Sequence, residues 1–265
     1  MKIVQQHMGT GENMLGTDDP DPVLLHNAAG RSAFLLTGDH AGNHVPARLG
    51  DLGLPRTERD RHIGWDIGIG PLGRMLADRL DAPFVSQAYS RLVIDCNRDP
   101  ASPEAVPVIS DGTVIPGNEG MDQEGLADRV AAIHAPYHDA IARMVAARAA
   151  AARPALFIAL HSFTPALGGV RRPWDVGVLH WTGDRRFALA LLAQLRAVPG
   201  LCVGDNQPYR MDATDYSVPR HAIAAGLPYA EIELRQDLIS DRAGQVKWSG
   251  QLAIALRNAL DRQDV

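Results

Sequence analysis

Cysteine is scarce in this chain of 265 residues: Cys96 and Cys202 are the only two. They stand far apart among apolar neighbours, which points to buried thiols rather than a disulfide or a metal pair. Runs of Lys or Arg are absent and the net charge is −5, so a nucleic-acid groove has no support. No apolar run approaches the ~18 residues of a membrane span. The first residues, Met1-Lys-Ile-Val-Gln-Gln-His7, have neither the basic start nor the apolar segment of a signal peptide. The expectation is a soluble, cytoplasmic protein with no nucleic-acid or membrane partner. Internal repeats and domain-splitting linkers are also missing.

What is present is a hydrophobic share of 46%, enough to bury a full core. Short apolar runs alternate with segments of helical spacing. Strands are expected at 32–37, 82–88, 91–96, 154–160, 176–180, 202–203 and 229–234. Helices are expected at 64–80, 123–153 with a break near Pro136, 184–196, 219–225 and 247–260. Residues 1–30, with the breaker cluster Asp18-Asp-Pro-Asp-Pro22, read as an N-terminal arm. Residues 31–265 read as a single α/β domain, a mixed and mostly parallel sheet flanked by helices on both faces.

Three of those strands end in polar residues suited to chemistry. His40 follows the first, in Gly38-Asp-His-Ala-Gly-Asn-His-Val-Pro46, and opens a long loop. His161 follows the central strand, in Ala159-Leu-His-Ser-Phe-Thr-Pro165, at the start of its exit loop. The carboxyl ends of buried strands are where α/β sheets bind ligands. Glu231-Ile-Glu-Leu-Arg235 closes the last strand; Glu231 and Glu233 are read as pointing to opposite faces, with one toward the site. Two imidazoles and a carboxylate are the makings of a catalytic zinc site, with a further carboxylate as general base. His62 and Asp66, four apart at a helix start, supply candidates for the third ligand. Arg91, Asn97 and Arg98 flank an apolar strand, and an Arg/Asn pair suits a substrate carboxylate. Gly68-Ile-Gly-Pro-Leu-Gly73 matches a dinucleotide fingerprint, but it lies within a helical pattern. Small residues for close helix packing explain it better.

Together these stretches carry a resemblance. Asp39-His-Ala-Gly-Asn43, Arg61-His-Ile-Gly-Trp-Asp-Ile-Gly68 and Tyr89-Ser-Arg-Leu-Val-Ile-Asp-Cys-Asn-Arg98 occur in order. His161-Ser-Phe-Thr-Pro165, Asp215-Tyr-Ser-Val-Pro-Arg-His221 and Glu233-Leu-Arg-Gln-Asp-Leu238 follow. The six blocks resemble the N-formylglutamate amidohydrolase family, itself distantly similar to zinc carboxypeptidases and aspartoacylases. The resemblance implies a phosphorylase/hydrolase-like, zinc-carboxypeptidase-like fold and hydrolysis of a small N-acyl amino acid. It implies one zinc per chain on His40 and His161. The carboxypeptidase pattern His-x-x-Glu is broken here, because Asn43 stands where the carboxylate should be. Asp66 is then the expected third ligand, followed by His62 and Asn43. By the same resemblance Glu233 is the base, Glu231 faces away, Arg91 polarises the scissile carbonyl, and Tyr216 closes over the substrate. Asn97, Arg98 and His221 would bind substrate. Arg171 or Arg172 in the loop after His161 could read a second carboxylate, and Arg172 is the choice carried forward.

Overall fold

The computed structural model describes residues 13–262; the start of the expected arm, residues 1–12, lies outside them. The strands are β1 Val23–His26, β2 Phe34–Gly38, β3 Phe84–Gln87, β4 Ile109–Ser110, β5 Thr113–Val114 and β6 Leu156–Phe163. They continue with β7 Ala166–Leu167, β8 Val170–Arg171, β9 Val176–Leu179, β10 Val203–Asp205 and β11 Tyr229–Arg235. The helices are α1 Arg56–Arg59, α2 Ile69–Leu80, α3 Gln123–Arg129, α4 Ala135–Ala150, α5 Arg186–Arg196 and α6 Arg242–Asp261.

Seven strands form the main sheet in the order β1-β3-β2-β6-β11-β9-β10. Neighbours are parallel except β1 on β3 and β9 on β11. The central strands are buried on both faces, as continuous apolar runs require. Alternation then sorts their side chains. Phe34, Leu36, Leu156, Ile158, Leu160, Ala230, Ile232 and Leu234 join one core with α2, α5 and α6. Leu35, Phe157, Ala159 and Tyr229 join the other with Ile133, Tyr137 and Ile141. Helices therefore cover both faces of one sheet.

Several local expectations change. His161 is inside β6, which runs on to Phe163, so the central histidine is a strand residue. Residues 91–93 and 96–97 form two turns separated by Ile94 and Asp95, because the backbone bonds turn locally, Val93 N donating to Ser90 O and Arg98 N to Asp95 O. The 123–150 region is not broken at Pro136. A π-helical turn, Val130–His134, joins α3 to α4 without a break, with Ala135 N donating to Val130 O, and Pro136 follows directly where the wider turn passes into α4. Cys96 is buried but Cys202 is exposed, as a residue entering the edge strand β10 can be. Before β1, Met14 is buried and Pro20 O accepts from the Tyr89 hydroxyl at 2.7 Å.

The glycine cluster opens α2 rather than lying inside a helix, and no strand leads into it. Gly68 precedes the helix at φ +88°, a left-handed conformation that suits glycine. A Cβ on Gly73 would sit 2.4 Å from the Phe84 ring on β3. Gly73→Ala is therefore expected to lower unfolding free energy by about 1–3 kcal/mol. Urea denaturation checks this; an unchanged midpoint would mean that the Phe84 ring gives way freely.

Candidate active site

The turn after β2 carries Asp39 and His40, β6 carries His161, and Asp66 stands ahead of α2. The Asp66 amide donates to His40 O at 2.8 Å, tying that segment to the β2 turn. All three side chains of His40, Asp66 and His161 are buried, with ligand atoms within 4.8 Å of one another. Asp66 Oδ2 lies 2.9 Å from His161 Nδ1 and 3.5 Å from His40 Nδ1. The far nitrogens meet other carboxylates: His40 Nε2 is 2.7 Å from Asp95 Oδ1, and His161 Nε2 is 3.4 Å from Asp39 Oδ2.

Each backing carboxylate is itself held. Asp39 Oδ1 accepts from Tyr137 Oη at 2.7 Å and Ser217 Oγ at 2.8 Å. Asp95 Oδ2 accepts from Arg91 Nε at 3.0 Å and Nη2 at 2.5 Å. Arg91 Nη1 in turn lies 3.8 Å from Asp66 Oδ1. Two imidazole nitrogens and one carboxylate oxygen form a donor set suited to a zinc-like cation, leaving room for a further ligand. His40 Nδ1 is buried with no hydrogen-bond partner, as a cation-facing nitrogen should be. Carboxylates behind ligating histidines fix the tautomer and ring orientation. The residues fit a metal.

Burial works against every charge here, and the pairings decide the outcome. Burial would raise Asp39, but the neighbouring His161 imidazole holds it down, to about 2. Asp66 is lowered against burial by His40 and His161, and Asp95 is held well below the usual range by Arg91 and His40. His161 goes the other way: burial disfavours its cation, but Asp39 and Asp66 push it well above 6.5. Burial and Arg91 oppose charge on His40, yet Asp95 and Asp66 raise it.

A cavity of about 480 Å³ opens over this group, within the ~300–1,000 Å³ usual for small-molecule sites. Arg91, Arg98, Tyr209, Arg210, Glu231 and Glu233 contribute to its lining. Both glutamates face it. Residues two apart on a strand share a face, so the expectation that Glu231 points away is corrected. Glu233 is in register with His161 and Glu231 with Ala159, one step deeper. Neither Glu231 Oε2 nor Glu233 Oε2 has a partner, and burial pushes both carboxyls up to about 8.

The other expected residues divide. Asn97, Arg98 and His62 line the cavity, whereas Arg172 does not and stands behind Tyr209, which does. Asn97 is already engaged: its Oδ1 accepts from Tyr216 N at 2.9 Å and Ser217 N at 3.0 Å. Arg172 Nη1 donates to Tyr209 Oη at 3.0 Å, and its guanidinium stacks 4.8 Å above that ring. His62 approaches Asp111, at 3.5 Å, rather than the Asp66 group. Asn43 donates to Arg59 O at 3.0 Å, outside the cavity lining. Tyr216 and His221 do not line the cavity. The Tyr216 ring packs on His134 and His138 and its hydroxyl accepts from Arg220 at 2.9 Å. His221 is buried against His138. The tyrosine at the cavity is Tyr209, from the same polar loop. Asp39 was not foreseen, although it stands beside His40 in a block already singled out; Asp95 pairs with Arg91 of its own block and, beyond that, with His40.

A histidine- and carboxylate-lined cavity at the carboxyl ends of a mostly parallel sheet marks the chain as an α/β protein with an enzyme-like site. Within that class it belongs to the N-formylglutamate amidohydrolase family, whose sequence profile matches residues 32–240. It is an amidohydrolase of that family. The Atu2144 gene product of Agrobacterium tumefaciens is similar at 35% identity and a TM-score of 0.92, over 95% of this chain and 100% of that one. The N-formylglutamate amidohydrolase of Ralstonia eutropha JMP134 shares the fold at 20% identity and a TM-score of 0.65, over 93% and 100% of the two chains. No curated protein matches the chain.

The unpartnered glutamates imply a pH dependence in chelator-treated protein. Raised from 4.5 to about 8 by burial, they keep protons in the folded state that the unfolded chain releases. Stability should therefore fall as pH rises from about 4.5 to about 8. The raised histidines act in the same direction above 6.5, while the lowered aspartates contribute stability lost only in stronger acid. A Glu231→Gln, Glu233→Gln double variant should flatten that slope in urea titrations. A parallel slope in both proteins would rule the glutamates out as its source.

Proposed function

We propose that this chain hydrolyses the amide of a small N-acyl amino acid carrying a carboxylate, with N-formyl-L-glutamate as the first candidate and zinc as the metal. The observation that carries the reading is the convergence of both histidine Nδ1 atoms on Asp66 Oδ2, with Glu233 in register beside His161. His40, Asp66 and His161 would hold the cation. When bound, a zinc ion supplies Lewis-acid polarisation and brings the pKa of a water towards ~7.

The chain's own residues do the rest. Glu233, in the carboxylate form that a cation on the neighbouring histidines would favour, accepts a proton from the attacking water and delivers it to the leaving nitrogen. It is preferred to Glu231 because it stands level with His161 rather than one step deeper. Arg91, clamped by Asp95, presents Nη1 toward the Asp66 side of the cavity. It is placed to stabilise the oxyanion, a contribution of about 3–4 kcal/mol per donor in comparable sites. Arg98 takes the substrate carboxylate with Nη2, while its other nitrogens bond Glu104, Asn97 O and Asp215. Asn97 serves by holding the 214–217 loop. Arg172 has no carboxylate partner among the described residues and is suited to a second substrate carboxylate. A cavity of about 480 Å³ also favours, as a second reading, a longer acyl or peptidyl amide.

The first experiment measures zinc content and N-formyl-L-glutamate hydrolysis before and after chelation. About one zinc per chain, with activity lost on chelation and restored by zinc, is the expected result. Zinc without turnover would move the search to acetyl and peptidyl substrates. Failure to take up zinc after reconstitution would overturn the mechanism and favour a binding protein that kept the fold. Glu233→Gln should keep zinc and lose activity by at least about 100-fold; near-normal turnover would remove Glu233 from the chemistry. His161→Ala should lose bound zinc, and full occupancy by elemental analysis would argue against its ligand role.

A further inference from the structure

Behind the cavity lies a second group of histidines that the hydrolysis does not use. His134, His138 and His221 are all buried, and none lines the cavity. His138 Nε2 donates to Cys96 O at 2.8 Å, and His134 Nε2 donates to Arg98 O at 3.1 Å. Because a carbonyl only accepts, the proton of neutral His138 is on Nε2 and its Nδ1 is an acceptor. The partner of that Nδ1, at 2.9 Å, is His221 Nε2, which must then donate. The rings pack together: the centroids of His138 and His221 lie 5.2 Å apart at 16°, and the Tyr216 ring stands edge-on 4.8 Å from His138. Burial first, then the neighbouring cations and histidines, hold His138 down to about 3 and His221 to about 4. Both are neutral at working pH, as the acceptor nitrogen requires.

The two carbonyls so gripped flank Asn97. The segment therefore leaves its turn with Cys96 O and Arg98 O fastened from beneath, while the Asn97 side chain fastens the 216–217 backbone. Asp95 has its own anchors in Arg91 and His40. Arg98 has nothing comparable on the cavity side, where its partners are the exposed Glu104 and the 214–215 loop. We infer that His138, oriented by His221 and assisted by His134, is a positioning residue that sets the Arg98 guanidinium for the substrate's carboxylate. The inference rests on the proposed role of Arg98. A neutral imidazole pair holds a backbone carbonyl without placing a competing charge beside the arginine, which a lysine or arginine in its place would do.

The test compares wild type with His138→Leu, which removes both bonds, and His138→Gln, which keeps a donor toward Cys96 O. Amide hydrogen exchange over 92–98, zinc content, and separate kcat and KM values are measured. The substrate is whichever of N-formyl-, N-acetyl- and glycyl-L-glutamate the wild type hydrolyses fastest. In His138→Leu, exchange should quicken and KM rise about 10-fold or more, with kcat and zinc content kept; His138→Gln should recover most of the KM. An unchanged KM in His138→Leu overturns the inference, as does a fall in kcat accompanied by zinc loss. If the wild type hydrolyses none of the three, the substrate reading fails by itself. Exchange then still decides: equal rates in wild type and His138→Leu overturn the positioning role, and faster exchange reversed by His138→Gln supports it.

Discussion

The strand ends depend on one row of carboxylates alternating with imidazoles and a guanidinium, buried except for the partly exposed Arg91. Asp39, His161, Asp66, His40, Asp95 and Arg91 follow one another, each within 3.5 Å of the next. Removing a single ion from water costs several kcal/mol even after relaxation. Each buried carboxylate of the row is offset only while its imidazole or guanidinium partners are present, so the elements carrying its members must meet in one arrangement. The β2 turn, the segment before α2, the 91–95 turns and β6 are all committed by it. The sheet around them is apolar and packs closely, but the row determines where the ends of its strands must lie.

Glu231 and Glu233 stand outside that compensation. Among the described residues they have no hydrogen-bond or ion-pair partner, and burial without one raises both carboxyls. Such carboxylates weaken the fold and are retained where they face a cavity, as Glu233 does beside the histidines. The neutral imidazoles behind Asn97 are a different solution to a similar problem. Backbone carbonyls are satisfied without importing charge, and the segment that carries Arg98 is held from the side away from the cavity. Charge is thus concentrated on one side of residues 95–98 and excluded from the other.

Much of this was legible in the residues, and the misses have specific causes. His40 and His161 could be found because each follows an apolar run that must be a strand. Asp66 could be preferred once Asn43 left a carboxylate missing. The partners Asp39 and Asp95 were in view but looked like ordinary loop acids, since only the fold reveals what their oxygens face. Glu231 was assigned to the wrong face although strand period alone corrects it. Tyr216 and Tyr209 occupy the same polar loop, and nothing in local spacing tells which one turns toward the cavity. His221 looked like a site residue because it shares a block with Asp215, whereas packing places it behind the wall.

The sequence by itself determined the central strands and the main helices, their order and the strand ends on which reactive side chains would fall, but not the edge strand β1 or the turns at 91–96. Those depend on apolar runs, their period and their punctuation, which are local. Tertiary structure alone decided which carboxylate meets which nitrogen, which glutamates share the cavity, and which histidines brace it from behind. Those outcomes turn on distances of about 3 Å between residues far apart in the chain. They are settled by strand register and by the need of every buried charge for an opposite one.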